Sequence, residues 1–153
     1  LPEVDLGTGV ATVLVGAIEN ATSPARRDTD HWGADLDLRA GTARLPLRPD
    51  CEHALVVLAG AVEVDGRVVE PGRLAYLGTS RDELALNSYG RSRGLVVGGV
   101  PFDETVVMWW NYVGRTREEI VAAHDAWTKG DERFGVVASR LPRIDVSPPA
   151  WRP

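Results

Sequence analysis

Apolar positions along this chain recur at short, strand-like intervals. Val10 to Gly16 (VATVLVG) is a compact β-branched run. Asp35-Leu36-Asp37-Leu38 alternates strictly and reads as a half-buried strand over Ala34 to Leu38, stopped by Gly41. Arg44 to Leu47 adds a short strand with Leu45 and Leu47 on one face, and Pro46 makes it an edge or a strand end. The stretch Cys51 to Leu77 is the centre of the pattern. It opens with the continuous apolar run Ala54 to Ala59, passes Gly60, and alternates through Val62 and Val64. Asp65-Gly66 follows, a strong hairpin signal because both residues tolerate positive φ, then Val68-Val69, Pro71-Gly72 and a further apolar strand. Leu84 and Leu86 alternate next, and Leu95 to Val97 ends in Gly98-Gly99. About nine to eleven strands of three to six residues predict a mainly β sandwich or small barrel. Residues 1–6 read as a leading arm, and Glu19 to Trp32 as a polar surface loop.

The pattern changes at Pro101. Val106 to Tyr112 (VVMWWNY) is apolar, aromatic and extended, so that adjacent Trp109 and Trp110 should face opposite ways. Thr116-Arg117-Glu118-Glu119 fits a capping box, in which a hydroxyl and a glutamate three residues on satisfy free amides at a helix start. Ile120, Ala123 and Trp127 share one stripe of that helix, and Gly130 suits its end. Leu141 to Pro153 holds four prolines without periodicity and reads as an extended tail. The expected organisation is a barrel over 1–100, a Trp-rich segment and capped helix packing on it over 101–140, and the tail over 141–153.

Composition narrows the function classes. A chain of 153 residues, 44% apolar and 25% charged, suits one soluble globular domain. No run approaches the ~20 apolar residues of a membrane span. The absence of a signal-peptide pattern and a single cysteine, Cys51, point to the cytoplasm. The formal charge of −5 argues against direct nucleic-acid binding, which draws on Lys and Arg at phosphates. The chain opens on Leu1-Pro2 rather than methionine, which processing or excision from a longer protein would each produce.

The spacing of the central stretch matches the two motifs of a cupin barrel, a double-stranded β-helix of the RmlC-like, jelly-roll kind. The first motif, His-x-His, then Glu, then Gly, aligns Glu52 as the glutamate and Gly60 as the glycine, which puts the histidine positions on Pro46 and Arg48. The second aligns Gly72 and Asn87, which puts its histidine on Glu83. A transition metal in such a barrel takes neutral imidazoles and a carboxylate. Pro46, Arg48, Glu52 and Glu83 are therefore a degenerate metal site, and neither metal nor cofactor is expected. Arg48 can stand in the metal's place by bridging Glu52, Glu83 or both, since a guanidinium pairs well with carboxylates. Alternatively all three point into solvent at the barrel mouth. His31, His53 and His124 show no ligand spacing and read as surface or interface residues. Cys51 and His53 share a strand face, but no orienting group or oxyanion device accompanies them, so no catalytic residue is assigned. Trp109, Trp110, Tyr112 and Trp127 are the interface candidates.

These residues resemble the C-terminal cupin domain of pirin-like proteins. The carrying segments are Ser23-Pro24, Asp35 to Gly41 (DLDLRAG), Leu45-Pro46-Leu47 and Ala54 to Gly66 (ALVVLAGAVEVDG). The most specific are Gly98 to Glu104 (GGVPFDE), Trp110 to Ala122 (WNYVGRTREEIVA) and Phe134-Gly135. The resemblance implies one half of a two-cupin protein. In that family the N-terminal barrel carries the iron and the quercetin dioxygenase activity, the C-terminal barrel is generally metal-free, and transcriptional regulation runs through protein partners. It carries no catalytic residue over to this chain. Two readings follow. In the first, the domain is a non-catalytic structural or interaction module that packs against an N-terminal cupin or forms a homodimer. In the second, it is a small-molecule binder or enzyme using the barrel interior, for example in the quercetin dioxygenase-type activity of full-length pirins. An Arg48 tied up in a filled barrel favours the first; a free Arg48 in an open pocket favours the second.

Overall fold

The computed structural model describes residues 1–151, which divide after Pro101 into two compact units. In the first, the strands are β1 (Glu3–Asp5), β2 (Gly9–Val15), β3 (Ala17–Ile18), β4 (Ala21–Thr22), β5 (His31–Leu38) and β6 (Gly41–Pro46). They continue as β7 (Glu52–Ala59), β8 (Val62–Val64), β9 (Arg67–Val69), β10 (Leu74–Gly78), β11 (Glu83–Ser88) and β12 (Ser92–Gly99). A six-stranded antiparallel sheet in the order β1-β2-β5-β12-β7-β10 faces a four-stranded one in the order β6-β11-β8-β9. Leu36, Leu38, Leu55, Val57 and Val96 of the first sheet meet Leu45, Leu84, Leu86 and Val62 of the second in one sealed core. The barrel core is filled by its own side chains, one of the two arrangements open to a small barrel.

The Asp65-Gly66 turn forms as its sequence demands, with φ of 50° and 74° joining β8 to β9. Pro46 ends β6, itself an edge strand of the four-stranded sheet, where a missing donor costs no ladder bond. Two expectations change. The leading arm contributes β1, which pairs with β2 through Val4↔Ala11. The loop expected over Glu19 to Trp32 yields the small β3–β4 hairpin and the first residues of β5. His31 and Trp32 extend that strand because Gly98 and Gly99 of β12 continue the ladder opposite them.

The second unit begins at Phe102. The VVMWWNY segment is a hairpin rather than one extended run: β13 (Val107–Trp109) returns as β14 (Tyr112–Gly114), with Trp110 at the turn in left-handed φ of 52°. Helix α1 (Arg117–Lys129) starts where the capping pattern placed it. The Thr116 hydroxyl accepts from the Glu119 amide at 3.2 Å, while the Glu119 carboxylate accepts from the Arg115 amide at 2.7 Å, one residue ahead of the cap. Gly130 closes the helix in the left-handed region. A short 3-10 turn covers Glu132–Phe134. The tail has no regular structure from Leu141 to Ile144 but is held to the helix: Trp127 donates to the Ile144 carbonyl at 2.9 Å, and the His124 ring bonds the Val146 carbonyl at 2.8 Å. The last two residues of the expected tail, 152–153, lie outside the described residues.

Candidate functional site

Strand parity decides where the four degenerate positions go. Side chains alternate across a strand, so neighbours point to opposite faces. Cys51 and His53 are buried beneath β7, which turns Glu52 outward, where it accepts from the Tyr76 hydroxyl at 2.9 Å. Leu84 is buried under β11, which turns Glu83 outward into an ion pair with Arg44. Pro46 is the register partner of Glu83 and offers no donor. Arg48 bridges neither glutamate. It holds Asp30 through both terminal nitrogens at 2.9 Å and Asp50 at 3.1 and 2.5 Å. Asp30 and Asp50 lie in the turns at the same barrel end and capture the guanidinium first. Arg27 joins the cluster by donating to Asp30 at 2.8 Å. Hydrogen bonds from Arg48 hold the carboxyls of Asp30 and Asp50 below the usual carboxylate range, against the opposing effect of burial. The same contacts, from Asp30 first, raise the Arg48 pKa.

These residues do not fit a cupin metal. Glu52 and Glu83 belong to different sheets, both face outward, and each already has a partner. Among the described residues no group of three His, Cys, Asp or Glu side chains converges.

The inward row at this barrel end is instead Trp32, Gly98 and His53, which are register neighbours across β5, β12 and β7. The two rings lie 5.7 Å apart, centroid to centroid. Gly98 is the residue that admits them: a Cβ there would sit 2.6 Å from both the Trp32 Nε1 and the His53 Cδ2. His53 is therefore a buried residue rather than a surface one. Burial pushes its pKa down, and the nearby Gly78 backbone only partly offsets this, without reaching hydrogen-bond geometry at either ring nitrogen. Burial likewise pushes the Cys51 thiol up, so the buried Cys51 and His53 are a neutral pair without an activating contact. Beside them a cavity of about 430 Å³ opens at the mouth, between Ile18, Glu19, Trp32, Leu47 and Arg48.

The outer faces of the two sheets differ sharply. On the four-stranded sheet the outward face carries polar pairs, Thr42 with Asn87, Arg44 with Glu83, and Asn87 and Tyr89 with Glu63, with Ala85 and Val68 as its apolar members. An antiparallel sheet with one face in water is expected to look this way. On the six-stranded sheet the register rows Leu74–Val56–Leu95 and Tyr76–Ala54–Val97 run apolar across β10, β7 and β12. Exposure there reaches 50% at Leu58, 62% at Leu74, 67% at Tyr76 and 48% at Val97. Charged pairs lie along one side of this patch, Arg93 with Asp35 and Arg91 with Asp37. An apolar centre with a polar rim is the anatomy of a protein interface. Sequence reasoning did not single out Leu58, Leu74, Tyr76 or Val97, although an unbroken apolar run such as Ala54 to Ala59 is the signature of a strand covered on both faces.

The four aromatic candidates all lie in the second unit. Trp109 packs edge-on to Trp151 at 5.2 Å, Tyr112 meets His124 at 6.2 Å, and Trp127 meets Phe134 at 5.2 Å. Arg143 stands 4.2 Å over the Trp127 ring. Trp110 is exposed at the hairpin turn.

The two sheets and the filled core define a cupin barrel. The chain belongs to the pirin C-terminal cupin domain family, whose model matches residues 33–135. It is 41% identical over 143 residues to a Pseudomonas aeruginosa protein carrying the name "putative quercetin 2,3-dioxygenase", covering 92% of this chain and 45% of that one. It is 31% identical over 101 residues to a pirin-like protein of Caulobacter vibrioides, covering 65% of this chain and 33% of that one. Among solved structures, a quercetin 2,3-dioxygenase from Acinetobacter baumannii superposes with a TM-score of 0.86 at 30% identity, covering 99% of this chain and 52% of that one. The chain thus spans about half the length of these bacterial dioxygenase-named relatives. Among the described residues no helix is long and apolar enough to cross a membrane.

Proposed function

We propose that this domain is a non-catalytic structural and interaction module that docks a second cupin barrel on the outer face of its six-stranded sheet. In a two-barrel relative the partner is the other, metal-binding barrel. For this chain produced alone it is a second copy. The observation that carries the reading is the exposed apolar patch of Leu58, Leu74, Tyr76 and Val97 beside a polar rim, on a sheet whose inner face is already filled. The state of Arg48 supports it too, since its guanidinium is committed to Asp30 and Asp50.

The dioxygenase activity named in the relatives would then reside in the half that this chain does not cover. Oxygen chemistry of that kind uses a redox metal, and the donors at the cupin positions here do not supply a site for one. The test combines metal analysis with turnover. The purified domain, incubated with iron, manganese or zinc and then desalted, should retain well under one equivalent and show no quercetin oxidation above free metal. A stoichiometric transition metal that is lost in Glu52→Ala would overturn the reading.

A further inference from the structure

The two seams of the barrel are not alike. On one side, the segment after β1 is joined to β6 by a backbone bond from the Arg44 amide to the Leu6 carbonyl, and the Arg39 amide bonds the Thr8 carbonyl. On the other side, β10 ends the six-stranded sheet and β9 ends the four-stranded one. Only the turn from Glu70 to Arg73 connects them, and among the described residues no ladder bond joins the two strands. The gap is a groove of about 600 Å³ whose walls include Arg67, Val68, Arg73, Leu74, Tyr76 and Arg81.

Its charge is opposite to that of the molecule. Three arginines and one aspartate, Asp65, line the groove, in a chain of net charge −5. Arg81 is held by Asp65 at 2.6 Å and by the Leu77 carbonyl at 2.9 Å. Arg67 and Arg73 make no side-chain ion pair among the described residues. Two uncommitted guanidiniums therefore flank the exposed apolar side chains of Val68 and Leu74. An end strand also leaves alternate backbone N–H and C=O groups without partners, which is a template for strand addition.

We propose that this open seam binds an acidic, extended peptide segment as an added strand on β10. Backbone bonds to β10 supply the docking, alternate apolar side chains of the peptide lie against Val68 and Leu74, and its carboxylates pair with Arg67 and Arg73. An arginine donates two parallel hydrogen bonds to a carboxylate, which lets the Asp and Glu side chains of an extended segment pair with it. The occupant is a protein segment and not a nucleic acid, because bases offer no strand edge to β10. The groove shares Leu74 and Tyr76 with the docking face proposed above, while Arg67, Val68 and Arg73 lie outside that face.

The probe is a fluorescein-labelled heptapeptide, Asp-Val-Glu-Val-Asp-Val-Glu, titrated with the intact chain and read by anisotropy. Saturable binding is expected, weakening as salt rises, with new amide protection confined to residues 73–78 in hydrogen exchange. The double substitution Arg67→Glu with Arg73→Glu, at exposed positions, should weaken binding at least ten-fold. The milder pair Arg67→Ala and Arg73→Ala should weaken it several-fold. Val97→Lys, on the outer face, should leave it unchanged, which separates failure of this proposal from failure of the docking face. Three results would each overturn it: equal binding of the same peptide with Lys replacing its acidic residues, equal binding of a version with a central proline, or competition by oligo(dT) as strong as by unlabelled peptide.

Discussion

The outer faces of the two sheets belong to one barrel, yet one is mainly polar and the other carries an apolar patch. On the four-stranded sheet the outward surface carries polar pairs such as Thr42–Asn87 and Arg44–Glu83, with the apolar Ala85 and Val68 beside them. On the six-stranded sheet the rows through Leu74, Val56 and Leu95, and through Tyr76, Ala54 and Val97, are apolar across β10, β7 and β12. A cupin barrel needs only its inner face to fold, and here Leu36, Leu55, Val57 and Val96 already supply it. An apolar second face adds nothing to that core and presents an aggregation hazard if left open. The difference between the faces therefore speaks of association, while the interior speaks of stability.

The largest effect should come from placing a charge in the apolar face. Val97→Lys, on β12, should weaken self-association roughly 30-fold or more, as desolvated hot-spot positions do, with little change in thermal unfolding of the barrel at low concentration. Analytical ultracentrifugation and circular dichroism measure the two separately. The next effect belongs to the interior. Gly98→Ala should cost about 3 kcal/mol in urea unfolding, because its methyl would enter the space of Trp32 and His53 at 2.6 Å. A loss below about 0.5 kcal/mol would show that this barrel end is loosely packed.

The pattern of the strands was legible in the sequence because period-two alternation and the Asp65-Gly66 turn are local signals. The capped helix was legible for the same reason: Thr116 and Glu119 sit within one turn of each other. The partners of Arg48 were not legible. Spacing alone aligned Glu52 and Glu83 with a metal site, but parity, fixed by the burial of Cys51, His53 and Leu84, turned both outward. Asp30 and Asp50 reach Arg48 through loop conformations that no periodicity encodes. The burial of His53, a residue expected at the surface or an interface, depends on the glycine opposite it, Gly98, which makes room that only the three-strand register reveals. The cue to the apolar outer face lay in the run Ala54 to Ala59, while Trp109 and Trp110 are the more conspicuous apolar residues of the sequence.

Smaller effects sharpen the comparison further. His53 is held neutral by burial, so its folded pKa lies below the ordinary value of about 6.5. As pH falls below that value the unfolded chain takes up the proton first, and stability declines until the folded pKa is passed. His53→Gln should flatten the decline in stability that sets in below about pH 6.5, measured by urea midpoints. Thr116→Ala should cost about 1 kcal/mol of helix stability through the lost bond to the Glu119 amide. Arg44→Ala, on the polar outer face, should cost below about 0.5 kcal/mol, since the pair with Glu83 is solvent-exposed.

The central claim is that only one outer face of the barrel is an interface. Sedimentation equilibrium of the wild-type domain beside Val97→Lys and Ala85→Lys tests it directly, because Ala85 is the outward neighbour of Arg44 on the polar sheet. The account predicts a dimer for the wild type and for Ala85→Lys, and a monomer for Val97→Lys. A wild type that stays monomeric at high concentration, or a dimer disrupted by Ala85→Lys and not by Val97→Lys, would contradict it.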